Sequence, residues 1–198
     1  HTVQDVDVGS WFGPTFSAER VPLLAAVLEE VRGKARLVIE LKYYGHDQQL
    51  EQRVVDIVEQ AGMVDDVAIM SLKYDGIQKI RNLRPDWTIG LLSAKSIGNL
   101  ARLDVDFLAV NTGMASPGFV RRAQEAGKQV FVWTVNDAVT MHRMISLGVN
   151  GIITDEPAMA REVIEARTEL GAVERLLLHT AVLFGRPVPP GLYRDASP

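Results

Sequence analysis

The run Leu37-Val38-Ile39-Glu40-Leu41-Lys42 decides how the chain is read. It opens as a β-branched apolar stretch and closes on two opposite charges. In an extended strand, side chains two apart share a face. Glu40 and Lys42 therefore project together where the strand gives way to a loop. A carboxylate inside an otherwise apolar strand is costly to bury alone. Two readings stay open on spacing. The pair is an ion pair at a strand tip, or Glu40 holds a hard divalent cation such as Mg²⁺ or Ca²⁺, which prefers oxygen ligands, while Lys42 meets phosphate charge.

Outward from this run one pattern recurs. A short β-rich apolar segment is followed by a loop and then by an amphipathic helix. The expected strands are Leu37–Leu41, Val67–Leu72, Thr88–Leu92, Phe107–Val110, Val130–Val135 and Gly151–Thr154. The expected helices include a segment at about Ala18–Val31, Leu50–Val58, Phe119–Ala126, Met141–Leu147 and Ala158–Thr168. Ser116-Pro117 reads as an N-cap followed by Pro at the first helical position. Gly127 and Gly148 stand where a helix-terminating glycine belongs. Strands alternating with helices of this length imply right-handed βαβ units and a parallel sheet covered on both faces.

A doubly wound open sheet is the usual alternative, but no glycine-rich phosphate loop follows any strand. The (β/α)8 TIM-barrel type fits better, with about six C-terminal βα units present. The expectation is that the first two strands are missing and belong before residue 1. Residues 1–184 read as a partial barrel domain ending in an apolar helix, Val173–Phe184, and residues 185–198 as a Pro- and Gly-rich tail. The chain opens on His1 rather than Met, which fits a processed product or a fragment.

Composition bounds the function. Of 198 residues, 47% are apolar and 23% charged, as in a soluble globular domain. The net charge of -4, without a basic block, argues against nucleic-acid binding. With no cysteine, disulfides and thiolate metal sites are excluded. The longest apolar run, Leu176–Phe184, is about half of what a membrane-spanning helix needs. A soluble domain of open compartment is expected.

In barrel enzymes the active site lies at the C-terminal ends of the strands. The polar residues there are Glu40, Lys42, Ser71, Ser93, Asn111, Thr134, Asn136, Thr154 and Asp155. Trp133 stands close to the end of its strand and reads either as core or as a pocket wall. Asn136 and Asp155 precede helix starts, so helix capping is the first reading for each. His46-Asp47 has the look of a catalytic pair. Asp47 is better placed as the N-cap of the next helix, leaving His46 as a loop residue. His142 and His179 fall inside helices and read as structural or exposed.

These segments together resemble the glycerophosphodiester phosphodiesterases, which are (β/α)8 barrels. Gly9-Ser10-Trp11-Phe12 resembles the family's Gly-x-Trp-Phe segment. Ile39-Glu40-Leu41-Lys42 is similar to its Ile-Glu-x-Lys strand. Met70-Ser71-Leu72 resembles the strand that follows, Val132-Trp133-Thr134-Val135-Asn136 its Trp-Thr-Val-Asn strand, and Gly148–Pro157 its final strand and turn. The order is that of the family. Lys42-Tyr43-Tyr44-Gly45-His46-Asp47 further resembles a subgroup fused to an N-terminal membrane domain.

The resemblance implies metal-dependent hydrolysis of glycerophosphodiesters to sn-glycerol 3-phosphate and an alcohol, in lipid and glycerol metabolism. It puts Glu40 at the position of a metal ligand for Mg²⁺ or Ca²⁺, Lys42 near the phosphate and Trp133 on the substrate wall. The family's His-Arg-Gly strand end, Glu-x-Asp pair and His-Asp pair, with both catalytic histidines, have no counterpart before Gly9. The expectation is a chain that carries no catalytic acid or base, needs a missing N-terminal barrel segment, and is inactive alone. Its parent would be membrane-anchored through that segment. The alternative from a different class is a non-catalytic remnant or interaction module with an open barrel edge. Another phosphate-handling barrel is disfavoured, because Asn136-Asp137-Ala138 and Asp155-Glu156-Pro157 are not glycine-rich.

Overall fold

A computed structural model describes residues 3–44, 48–95, 99–169, 171 and 180. The expected helix Val173–Phe184, nearly all of it, and the tail 185–198 lie outside the described residues, as do His46, Asp47 and His179. The chain divides into two compact units, His1–Ile89 and Gly90–Pro198.

In the first unit the chain enters through two short 3₁₀ turns, Val3–Asp5 and Pro14–Phe16. It continues through α1 (Leu24–Val31), β1 (Leu37–Glu40), α2 (Leu50–Gln60), β2 (Val67–Ser71) and α3 (Tyr74–Leu83). β1 and β2 are parallel, with Leu37 opposite Val67 and Glu40 opposite Met70. The ladder extends one step past β1, where the Leu41 amide donates to the Met70 carbonyl at 2.8 Å. α2 packs on α3, and α3 on β2. Val54, Val55 and Val58 recur on one face of α2 and are buried, as are Ile77 and Ile80 on α3. Each such burial contributes roughly 1.5–3 kcal/mol, which is why these helices form where their apolar stripes recur.

One local expectation changes here. The helix expected over Ala18–Val31 starts only at Leu24. Arg20 is held in an antiparallel bridge with Asp7, and Pro22 lacks an amide to donate into a helix. The N-cap position of α2 falls on Gln49, whose side chain makes no capping hydrogen bond.

The second unit carries most of β3 (Thr88–Ser93), with β4 (Phe107–Asn111), α4 (Pro117–Glu125), β5 (Gln129–Trp133), α5 (Ala138–Ser146), β6 (Gly151–Ile152) and α6 (Pro157–Glu169). Gly90–Ser93 of β3 pairs in parallel with β4, β4 with β5, and β5 with β6, so neighbours in the sheet are neighbours in the chain. Phe107, Leu108, Ala109 and Val110 are all buried, as expected for a strand covered on both faces. Ser116 caps α4 by accepting from the Phe119 amide at 3.2 Å, ahead of Pro117. Gly127 and Gly148 end α4 and α5 with φ of +76° and +77°, a region that suits glycine. The α/β class and the six strands read from the sequence are those of the structure, with a 3₁₀ turn, Leu100–Arg102, rather than an α-helix described between β3 and β4.

Candidate active site

Glu40 is the last residue of β1, and Lys42 lies two residues beyond the strand. Their side chains meet as the strand period requires, Lys42 Nζ lying 3.6 Å from Glu40 Oε2. The Glu40 side chain is 28% exposed and that of Lys42 54%. The pair is thus half in solvent, at a strand end where both groups can reach a ligand. An exposed ion pair of this kind adds little stability, about 0–1 kcal/mol, so stability alone does not account for it.

The backbone beneath the pair is pinned. Ser71, buried at the end of β2, donates from Oγ to the Leu41 carbonyl at 2.8 Å and accepts from the Lys73 amide at 3.1 Å. Tyr43 donates its hydroxyl to Glu51 Oε1 at 2.9 Å. Glu51, in the first turn of α2, is only 2% exposed and also meets Lys79 Nζ at 3.2 Å. Lys73 Nζ stands 5.1 Å from the centre of the Tyr43 ring, within cation–π reach. Burial, followed by the Glu51 hydrogen bond and charge, pushes the Tyr43 phenol above its ordinary value. Sequence reasoning missed this group, because Glu51 sits in a helix turn that looks solvated from its neighbours Gln52 and Arg53.

The Gly9–Phe12 segment is a tight turn built on Asp7. The Asp7 carboxylate accepts from the amides of Gly9 and Ser10, both at 2.9 Å, and from the Ser10 hydroxyl. Those bonds to Ser10 and Gly9 hold its carboxyl down at about 2. A side chain at Gly9 would place its Cβ 2.0 Å from the Phe16 carbonyl oxygen, so only glycine lets the turn close. Trp11 and Phe12 are 81% and 70% exposed, with Trp11 Nε1 donating to the Val8 carbonyl at 2.7 Å.

In the second unit Trp133 is the last residue of β5 and donates from Nε1 to the Ala109 carbonyl at 2.9 Å. Its ring is half-buried. Asn136 does not cap α5. The N-cap of α5 is Asp137, which accepts from the Thr140 amide at 2.8 Å. Asn136 instead joins the ends of β5 and β6. Its Nδ2 donates to Asp155 Oδ2 at 2.8 Å, and its Oδ1 accepts from Thr154 Oγ1 at 3.1 Å and the Asp155 amide at 2.9 Å. Asn111 ties the loop after β4, donating to the Ala94 carbonyl at 2.8 Å and accepting from the Met114 amide at 3.1 Å. Ser93 donates to the Lys95 carbonyl at 2.8 Å.

His142, read as structural or exposed, is fully buried in α5, with Arg167 Nη1 3.3 Å from Nδ1. Burial and then the Arg167 charge lower its pKa to about 4.

Among the described residues, no three His, Asp or Glu side chains converge in a way that could hold a metal ion. Glu40 faces an ammonium rather than a second carboxylate. A hard divalent cation takes about six oxygen ligands, so the described residues do not by themselves fit a resident metal. Among them, no helix is long and apolar enough to cross a membrane.

The profile of the Glycerophosphoryl diester phosphodiesterase family matches residues 1–159. A putative glycerophosphodiester phosphodiesterase of Bacillus subtilis, YhdW, is 30% identical over 164 residues, covering 78% of this chain and 67% of the relative. A glycerophosphodiester phosphodiesterase of Caldanaerobacter subterraneus is 30% identical over 165 residues, covering 78% of this chain and 66% of the relative. The fold is also that of an Oleispira antarctica phosphodiesterase solved with its product sn-glycerol-3-phosphate (TM-score 0.76, 22% identity, 82% of this chain and 69% of that one). A glycerophosphodiester phosphodiesterase from Parabacteroides distasonis aligns with a TM-score of 0.74 at 22% identity, over 84% of this chain and 71% of that one. The chain thus spans about two thirds of the length of these relatives. With the family's strand motifs present in order, the six strands of the TIM-barrel type in place, and the profile matched over most of the sequence, the chain belongs to the glycerophosphoryl diester phosphodiesterase family.

Proposed function

We propose that this chain is part of an enzyme that hydrolyses glycerophosphodiesters to sn-glycerol 3-phosphate and an alcohol, in lipid and glycerol metabolism. The observation that carries the reading is the Glu40–Lys42 pair, 3.6 Å apart and half in solvent at the end of β1. In a member of this family, that pair sits where a phosphodiester has to be bound and polarised. Lys42 supplies a fixed positive charge for phosphate oxygens, and such a charge counts most where negative charge grows in the transition state. Glu40 supplies one oxygen donor to a divalent cation, Mg²⁺ or Ca²⁺, whose other donors lie outside the described residues. Trp133 supplies an apolar wall to the substrate.

The general acid and base of the reaction are not among the residues assigned here. The 198-residue chain taken alone is therefore expected to be inactive and to bind neither Mg²⁺ nor Ca²⁺ measurably by calorimetry. A further N-terminal barrel segment would be its functional partner. The likeness of the Lys42–Asp47 segment to a membrane-fused subgroup extends the proposal to a membrane-anchored parent.

The test is hydrolysis of glycerophosphocholine by the protein at the length its gene encodes. Release of sn-glycerol 3-phosphate, lowered by at least about a hundredfold in Glu40→Ala and in Lys42→Ala, is the expected result. A full-length protein inert toward a panel of glycerophosphodiesters would remove the reading.

A second reading is favoured by one observation. Among the described residues β1 pairs only with β2, and Val38 on it is 47% exposed. A non-catalytic interaction module would use such an edge. Light scattering separates the two: a monomer at all concentrations counts against self-pairing.

A further inference from the structure

We infer that Glu51, a residue outside the Glu40–Lys42 pair, is a positioning residue for that pair, acting through Tyr43. The inference rests on the functional reading above and adds a residue to it.

Lys42 lies between two anchored neighbours. On one side, the Leu41 amide is tied to the Met70 carbonyl at 2.8 Å and the Leu41 carbonyl to Ser71 Oγ at 2.8 Å. On the other, the Tyr43 hydroxyl is tied to Glu51 at 2.9 Å. The Tyr43 ring lies against the start of α3, where Gly76 leaves room for it. A Cβ at Gly76 would fall 1.9 Å from the Tyr43 hydroxyl oxygen and 2.6 Å from the ring carbon bearing it. α3 thus gives up a side chain at a buried helical position, where glycine costs about 1 kcal/mol relative to alanine, and the Tyr43 ring occupies that space.

Glu51 itself is a nearly fully buried carboxylate. Such a group is costly unless it is paired and hydrogen-bonded. The Tyr43 hydroxyl and Lys79 Nζ, at 3.2 Å, bind the same oxygen of Glu51. A mere α2–α3 ion pair would need no tyrosine. The arrangement instead anchors the loop residue next to Lys42 to the first turn of α2. A lysine side chain is long and loses substantial rotamer freedom when it is held in one geometry. Fixing the backbone on both sides of Lys42 lowers the entropy left to lose when its ammonium meets a ligand.

The experiment is a double-mutant cycle in the protein at the length its gene encodes, with two readouts. One is kcat/KM for glycerophosphocholine. The other is hydrogen exchange of the Lys42, Tyr43 and Tyr44 amides. Glu51→Ala and Tyr43→Phe are expected to lower kcat/KM about tenfold, the size of one net hydrogen bond, and to speed exchange of those amides by a similar factor. Glu51→Gln keeps the carbonyl acceptor for the Tyr43 hydroxyl and is expected to restore most of both. Arg84→Met, which removes the Glu59 ion pair elsewhere in the same unit, controls for general destabilisation and is expected to move neither readout. In a Lys42→Ala background, Glu51→Ala is expected to have no further effect on kcat/KM, since it acts through Lys42. Full additivity in that background, or unchanged amide exchange in Glu51→Ala, would overturn the inference. A wild-type protein with no activity defeats the functional reading instead, and the exchange readout still decides whether the clamp exists.

Discussion

The ends of β1 and of β5–β6 carry polar residues that look alike in sequence and behave differently in space. At β5–β6 the polar groups satisfy one another: Asn136 uses its amide nitrogen and oxygen on Asp155 and Thr154. At β1 the two charges lie 3.6 Å apart and both are partly exposed, while the backbone beside them is held through Ser71 and the Tyr43–Glu51 contact. A polar residue whose hydrogen bonds are spent on other protein groups serves the fold. One kept half in solvent on a pinned backbone is available to a ligand. Asn136 thus belongs to the architecture, while Glu40 and Lys42 are the pair proposed for the chemistry.

Several substitutions would break or sharpen that contrast. The largest effect is expected for Lys42→Ala in the gene-length protein, a loss of about 10²–10³ in kcat, the range for removing one preorganised charge contact. Its melting temperature should stay near that of the wild type, because an exposed pair contributes little stability. Next comes Gly9→Ala, whose Cβ meets the Phe16 carbonyl oxygen at 2.0 Å. Backbone has to move to relieve that contact, so a cost of roughly 1–3 kcal/mol is expected in urea titration. Asn136→Ala should show the reverse of Lys42→Ala. Its hydrogen bonds are exposed, so stability falls by about 1 kcal/mol while the rate constant per folded molecule changes little.

A further effect is one of pH. His142 is neutral and buried, with its pKa lowered to about 4 by burial and by Arg167. In the unfolded chain the ordinary value of about 6.5 applies, so the unfolded state binds the extra proton first as pH falls. The His142 contribution to stability is therefore whole above about pH 6.5 and is lost progressively as pH falls to about 4. His142→Leu should flatten the stability profile of that window, and an unchanged slope would remove His142 as its cause.

Much of the scaffold was legible because periodicity reports burial. Strands such as Phe107–Val110 read as continuous apolar runs, and Ser116-Pro117 and Gly148 announced helix ends through local chemistry. The Glu40–Lys42 contact was equally legible, since two residues on one strand share a face whatever the fold. What escaped depended on partners distant in sequence or on competition between neighbours. Asn136, Asp137 and Asp155 all had the composition of a cap. Only geometry showed that Asp137 reaches the Thr140 amide while Asn136 turns to β6. The start of α1 was misplaced because the Asp7–Arg20 bridge takes Arg20 out of the helix. The Tyr43–Glu51–Gly76 contact joins a loop and two helices, and nothing in the pattern of any one of them signals the others.

The central claim is that the pair at the end of β1 acts on a phosphodiester. Its most direct test is the rate of sn-glycerol 3-phosphate release from glycerophosphocholine by the gene-length protein and its Lys42→Ala variant, with folding of each checked by circular dichroism. The account predicts activity in the first and a loss of at least about a hundredfold in the second, at equal helix content and melting temperature. A folded Lys42→Ala variant that hydrolyses the diester at the wild-type rate would contradict it.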